Sequence, residues 1–275
     1  MKSINTEVFC LKSDISDPIA LEREILFIKP DLVLHLAGIS YVASKDHEAF
    51  YRVHVLGTTN LLNTLTKLEI APKKIVLASS ATVYGNCTTV PTPETQPISP
   101  VDHYAMSKAA MEELAKRFMD RLPIIIARPF NYTGPGQHGN FLIPKLIRHF
   151  VEKQSAIELG NLNVEREFND VSTICNAYLG LLDAGIPGET YNICTGNLRS
   201  LGSIIDTLIK ITNHSIQINI NPEFVRPNEV YQMCGNPDKL MTLLAQHKIE
   251  LYIPTIEETI KNMLKNQPHS HNETY

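Results

Sequence analysis

The sequence predicts an α/β fold built on a doubly wound parallel sheet, and three observations carry that prediction. Short apolar runs without polar alternation, "DLVLHLAG" (31–38), "KIVLAS" (74–79) and "PIIIAR" (123–128), read as strands buried on both faces. Longer segments with apolar residues at helical spacing, about 48–68 and 103–120, separate them. The first run ends in glycine and the second in serines, small residues at the carboxyl edge where ligands of such sheets bind.

The elements follow in order. The strand at 31–38 leads into the helix "EAFYRVHVLGTTNLLNTLTKL", and the strand at 74–79 into a loop with Pro91, Pro93, Pro97 and Pro100. The 103–120 helix and the strand at 123–128 follow. Beyond residue 129 the rhythm loosens into the polar, glycine-rich loop "PFNYTGPGQHGN". Further helices are expected over 171–184, 200–212 and 236–246. A last one is announced by "TIEE", a capping box with Thr255 as N-cap and Glu258 three residues on. These patterns divide the chain into residues 1–130, residues 131–265 as a smaller α/β unit with some segments returning to the sheet, and a flexible tail at 266–275. The tail carries His269 and His271 without flanking ligands, so no metal site is expected there or elsewhere.

Composition narrows the function. The chain has 275 residues, 43% hydrophobic and 20% charged, with a net charge of −4 and no basic stripe, which argues against a nucleic-acid partner. No apolar run reaches the ~18 residues of a membrane span, and the N-terminus has no apolar signal region. Cys10, Cys87, Cys175, Cys194 and Cys234 are odd in number and lack zinc-site spacing. A reducing, cytoplasmic setting is expected, with these thiols mostly buried and inert.

The stretch "HYAMSK" places Tyr104 and Lys108 four residues apart, on one face of a helix. A tyrosine releases its proton poorly at neutral pH, and a neighbouring ammonium favours the phenolate. Such a pair can exchange a proton with substrate. Alone, the spacing is common and uninformative. About twenty residues earlier, however, "LASSATVYG" sets Ser79 and Ser80 at a strand end, where a hydroxyl can hydrogen-bond a substrate carbonyl while the tyrosine protonates it.

With "SDISD", "KPDLVLHLAG", "SSATVYG", "YAMSK", "RPFNYTGPGQ" and "LGNLNVEREFNDV" in that order, the chain from Asp14 to Leu264 resembles the nucleotide-sugar branch of the extended short-chain dehydrogenase/reductases. The resemblance implies a Rossmann-like sheet in residues 1–130, a substrate-binding subdomain in 131–265, and NAD or NADP as cofactor. It implies that Ser80, Tyr104 and Lys108 are catalytic, with Lys108 also holding the nicotinamide ribose. It places Asp14 and Ile15 at the adenine end and Leu36, Ala37 and Gly38 along the dinucleotide. It also implies a homodimer formed through the helices at 48–68 and 103–120. Leu61, Leu62, Leu65, Met111, Leu114 and Phe118 fit that interface and fit burial against the sheet equally well.

The segment "NPEFVRPNEVYQMCGNPDKL" looks like that of enzymes acting on GDP-mannose derivatives, which implies that Arg226 and Glu229 hold the nucleotide. Arg166 corresponds to the diphosphate contact, a task suited to a guanidinium fork, and Asn131 to a residue near the sugar diphosphate. A GDP-mannose 4,6-dehydratase needs a carboxylate just after the catalytic hydroxyl, and here Ala81 and Thr82 stand there. The resemblance therefore favours reduction of the 4-keto group of GDP-4-keto-6-deoxy-mannose. Dehydration or epimerisation of a related nucleotide sugar is the alternative.

Two departures stand out. The first glycine is Gly38, so the strand, glycine-rich turn and helix that open the family are missing, and the sheet is expected to be incomplete at its N-terminus, leaving "TEVFCL" without a partner. A second functional reading follows: a nucleotide-sugar-binding remnant that holds cofactor poorly. Gly134, Gly136 and Gly139, with Glu158 beyond them, spell the dinucleotide fingerprint, but they lie after the catalytic helix and too far from a strand, so they read as a substrate loop. His54 stands where the family has asparagine before V-x-G-T.

Overall fold

The structure is a computed structural model, and it describes residues 10–41, 45–87, 89–225 and 230–266. Arg226, Glu229, His269 and His271 lie outside the described residues, as does most of "TEVFCL"; its last two residues, Cys10 and Leu11, are exposed and outside regular structure.

The sheet is parallel and four-stranded, with β1 (Leu32–His35), β2 (Lys74–Ala78), β3 (Ile124–Pro129) and β8 (Thr190–Ile193) in the order β1-β2-β3-β8. Val33 pairs with Ile75, Ile75 with Ile124, and Ile126 with Thr190. Strand side chains alternate between faces. On one face Ile75, Leu77 and Ile124 pack with Leu61, Leu62 and Leu65 of α3 (Thr58–Leu65), with Ala115 of α4 (His103–Lys116) and with Phe118 beyond it. Leu21 and Ile25 of α1 (Pro18–Ile28) border the same cluster. On the other face Val76, Ile125 and Ala127 pack with α6 (Val171–Ala184) and α8 (Asp238–Gln246). Helices on both faces make the sheet doubly wound, as expected.

Among the described residues β1 pairs only with β2. This apolar strand is therefore an edge: Leu32 is 48% exposed, and α1 beside it leaves Ile19 82% and Phe27 79% exposed. The sequence reads as an interior strand because its residues suit one, yet among the described residues its outer hydrogen-bonding side is unpaired.

The 48–68 helix is not uniform. It starts as α2 (His47–Phe50), widens into a π-helical segment over Tyr51–Gly57 and resumes as α3. Gly57 is needed where α3 begins, because a Cβ there would lie 2.7 Å from Cγ2 of Ile15. The residues offered for a dimer interface are used within the chain: Leu61, Leu62, Leu65, Met111 and Phe118 are all buried in the single protomer. Leu56 and Met106 are the large apolar side chains that these helices expose.

Beyond β3 a second unit has its own core. α5 (Leu142–Val151), α7 (Leu201–Thr212) and α9 (Ile256–Lys265) pack with β5 (Ala156–Leu159), which pairs with β10 (Gln217–Ile220). α9 has the expected reciprocal capping box between Thr255 and Glu258. Three short pairings join this unit to the sheet region: β4 (Tyr132–Thr133) with β7 (Asn169–Asp170), and β6 (Glu165–Glu167) with both β9 (Leu198–Ser200) and β11 (Gln232–Met233). Gly134, Gly136 and Gly139 fall in the loop between β4 and α5, not in a strand-to-helix turn of the sheet.

The cysteines differ from expectation. Cys194 and Cys234 are buried, and burial raises both thiol pKa values, but Cys10 and Cys175 are exposed and Cys87 is half-buried. Among the described residues no helix is long and apolar enough to cross a membrane.

Candidate active site

The loops leaving β1, β2 and β3 meet the first two turns of α4. Asp102 caps that helix, its carboxylate accepting from the Ala105 amide at 2.8 Å, so Tyr104 falls in the first turn and Lys108 one turn on. Ser80 leaves β2 in extended conformation and caps a short 3-10 turn, Ala81–Tyr84. Its Oγ accepts from the Thr82 hydroxyl at 2.9 Å and from the Thr82 amide at 3.2 Å, and the Ser80 hydroxyl lies close enough to the Tyr104 phenol to act on its pKa. Lys108 is buried and donates from Nζ to the Ala78 carbonyl at the end of β2, at 2.8 Å. The structure thus brings the three residues singled out from sequence to one place.

Their electrostatics differ from expectation in one respect. Burial pushes the Tyr104 phenol up to about 12, against the opposing effect of the nearby Ser80 hydroxyl. Burial therefore sets the direction of the Tyr104 shift, while the Lys108 ammonium donates to the Ala78 carbonyl. Burial lowers the pKa of Lys108 to about 8, with Glu112 opposing. At neutral pH the pair is a neutral phenol beside a mostly protonated amine. That arrangement suits the donation of a proton to a substrate oxygen.

A buried polar frame, not anticipated from sequence, fixes this corner. Glu112, on α4, takes Arg128 of β3 through two hydrogen bonds, Nε to Oε1 at 2.9 Å and Nη2 to Oε2 at 2.5 Å. Ser79 also donates to Glu112 Oε1. Arg128 Nη1 donates to the Tyr84 hydroxyl at 2.9 Å, and that hydroxyl donates to Asn192 of β8 at 2.7 Å. One chain of bonds therefore ties β2, β3, β8, the Ser80 turn and α4. The only trace in sequence is "ARPFN", in which an arginine ends an otherwise apolar strand. Tyr132 and Tyr178 were also missed; both lie close enough to Tyr104 for their charges to be coupled.

The cofactor residues expected from sequence lie along one side. Leu36, Ala37 and Gly38 are exposed at the end of β1. A Cβ on Gly38 would come 3.4 Å from Lys108 Nζ and 3.2 Å from His54 Nε2, so the bare backbone keeps the space beside the lysine open. Asp14 is exposed, and hydrogen bonds from the Ser16 hydroxyl and amide hold its pKa below the usual value. Ile15 packs on Gly57, and its carbonyl accepts from Asn60.

Just after β3, the Asn131 carbonyl accepts from the Asn169 amide at 2.9 Å and from its side chain at 3.1 Å. Arg166 donates to the carbonyls of Glu165, Val230 and Tyr231, which places its guanidinium against the chain that leaves the 226–229 segment. Glu167 beside it is fully buried and accepts from the amides of Gly235 and Thr195 and from Asn169.

Comparison with known proteins gives the family. Residues 1–256 match the family described as GDP-mannose 4,6 dehydratase. The GDP-6-deoxy-D-talose 4-dehydrogenase of Aggregatibacter actinomycetemcomitans is 36% identical over 252 residues, 91% of this chain and 86% of the relative. The GDP-6-deoxy-D-mannose reductase of Pseudomonas aeruginosa is 32% identical over 222 residues, covering 77% and 73%. A solved structure, RMD from Pseudomonas aeruginosa complexed with NADPH, superposes with a TM-score of 0.84 at 29% identity, over 93% of this chain and 87% of that one. The chain belongs to the GDP-mannose 4,6 dehydratase family, nucleotide-sugar oxidoreductases and dehydratases with a Rossmann-like fold.

Proposed function

We propose that the chain reduces the 4-keto group of a GDP-4-keto-6-deoxy-mannose-type nucleotide sugar, with NADPH or NADH as reductant. The observation that carries this reading is the buried convergence of Ser80, Tyr104 and Lys108 with, among the described residues, no available carboxylate beside the serine. Ala81 has no polar group, and Thr82 donates its hydroxyl to Ser80. Glu112 is committed to Arg128 and Ser79, and Asp102 to the cap of α4. Elimination of water across C5–C6 needs a free acid or base, whereas ketone reduction needs one hydride and one proton. The two curated relatives named above carry names that place oxidoreduction on GDP-6-deoxyhexoses, which supports the same reading.

A nicotinamide cofactor, when bound, would supply the hydride for C4. The other steps belong to the chain. Ser80 donates a hydrogen bond to the C4 oxygen and stabilises the charge that develops on it. Tyr104, protonated at neutral pH, gives its proton to that oxygen. Lys108 would hold the nicotinamide ribose, and its ammonium, one turn from Tyr104, would supply positive charge near the phenolate left behind. Leu36, Ala37 and Gly38 would form the dinucleotide side, and Asp14 and Ile15 would receive its adenine end. Residues 131–265 form the sugar-nucleotide side, with Asn131, Arg166, Arg226 and Glu229 as its polar contacts, and the functional unit is a homodimer.

The test is direct. With GDP-4-keto-6-deoxy-mannose and NADPH, the protein should consume both in a 1:1 ratio and yield a GDP-6-deoxyhexose. With GDP-mannose and catalytic NADP it should yield no 4-keto sugar. Formation of the ketone from GDP-mannose would replace this reading with dehydration. Failure to bind NADPH in a fluorescence titration would favour the remnant reading.

A further inference from the structure

His54 is fully buried and takes no part in the reaction described above. Its ring lies between two parts of the site. Nε2 accepts a hydrogen bond from the Ile39 amide at 3.0 Å, on the loop that leaves β1. A backbone amide can only donate, so Nε2 carries no proton and Nδ1 must carry it in the neutral ring. Nδ1 therefore donates to Ser107 Oγ at 2.8 Å, and Ser107 donates in turn to the Tyr104 carbonyl at 2.8 Å. One directed chain runs from the Gly38–Ile39 loop, through the imidazole, to the backbone of the catalytic tyrosine.

The ring is held from its sides as well. Phe50 stacks on it at 5.8 Å between centroids, and the Tyr104 ring meets it edge-on at 5.6 Å. Its backbone lies in the π-helical segment Tyr51–Gly57. That segment widens the helix and changes the direction its side chains take relative to a regular 3.6-residue turn. Burial and the Lys108 charge together keep the ring neutral, which preserves the acceptor that Ile39 needs.

We propose that His54 is a positioning residue whose imidazole, locked as the Nδ1–H tautomer, couples the dinucleotide-side loop to Tyr104 and sets the spacing between them. The coupling is a statement about this chain's own atoms; its effect on turnover rests on the reductase reading.

Three variants separate the links. The amide of His54→Asn reaches the Nδ1 position and keeps the Ser107 bond, but falls short of Ile39. The longer amide of His54→Gln reaches the Nε2 position and keeps the Ile39 bond, but not Ser107. Ser107→Ala cuts the second link with the imidazole intact, and as the smallest change it keeps the test usable should either His54 variant fail to fold.

Two measurements need no activity. Nitrogen-15 spectra of the histidine rings should show His54 as a single Nδ1–H tautomer. Exchange of the Ile39 amide should accelerate roughly tenfold in His54→Asn, the size of one lost hydrogen bond, and stay near the parent value in His54→Gln and Ser107→Ala. In the reduction assay His54→Asn should raise KM for NADPH, whereas His54→Gln and Ser107→Ala should lower kcat about tenfold with KM for NADPH held. An Nε2–H tautomer, or an Ile39 amide indifferent to His54→Asn, would overturn the coupling whether or not the protein reduces a keto sugar. Parent kcat and KM in all three variants, with the tautomer and exchange as expected, would overturn the positioning role while leaving the reductase reading intact.

Discussion

Replacing Glu112 with glutamine tests the frame beneath the site. The Glu112 side chain is 0% exposed and that of Arg128 7%, so neither charge is hydrated. The substitution is isosteric and removes one charge. It leaves the guanidinium buried without a counter-ion and converts one of two acceptor oxygens into a donor facing Arg128 or Ser79. Breaking a buried pair from one side costs about 3–5 kcal/mol. The surviving amide oxygen still accepts one bond, so the loss should be near the lower end, about 3 kcal/mol. Urea unfolding reads this as a lower midpoint at constant slope. Arg128→Met with Glu112→Leu removes both charges and should recover at least half of that loss, because no charge is then stranded. A Glu112→Gln variant within about 1 kcal/mol of the parent would refute the claim that this pair sets the local frame.

Other outcomes follow from the same geometry. Gly85 has φ +62°, and a Cβ there would lie 2.0 Å from the Ser99 carbonyl oxygen, so Gly85→Ala should lose at least about 2 kcal/mol in urea unfolding. Burial, aided by the Lys108 charge, holds His35 at about 4 and His54 at about 3. The unfolded chain protonates both near 6.5, so their contribution is complete above that pH and is lost as pH falls toward 4 and 3. Each histidine adds a slope of up to about 1.4 kcal/mol per pH unit, and His54→Gln should remove one such increment from the acid limb. Lys108 loses its proton as pH rises through about 8, so kcat should fall on that alkaline side; a flat profile to pH 10 would show that its charge is not used.

Much of this molecule is legible in its sequence. Strands buried on both faces leave continuous apolar runs, and β2 and β3 were placed within a residue or two for that reason. The Tyr104–Lys108 face was legible because helix geometry makes residues four apart neighbours. Long-range pairing was not. Glu112 reads as one more charge on an amphipathic helix, and nothing in "MEELAK" says that it meets Arg128 across the sheet. The π-helical segment was invisible because seven residues are too few to separate its period from 3.6. The apolar residues of α3 and α4 were ambiguous between sheet and partner, since hydrophobicity reports burial without naming what does the burying. Lys108 was expected to lower the Tyr104 pKa by proximity in sequence; the depth at which the phenol lies raises it instead.

The most direct measurement removes one oxygen atom. Tyr104→Phe leaves the ring against Phe50 and His54 and deletes only the proton that the C4 oxygen is to receive. Single-turnover oxidation of NADPH by GDP-4-keto-6-deoxy-mannose should then slow by about 100-fold or more, the span of one general acid, with GDP affinity unchanged. Turnover near the parent rate in that variant would mean that the proton comes from elsewhere and that the site has been read wrongly.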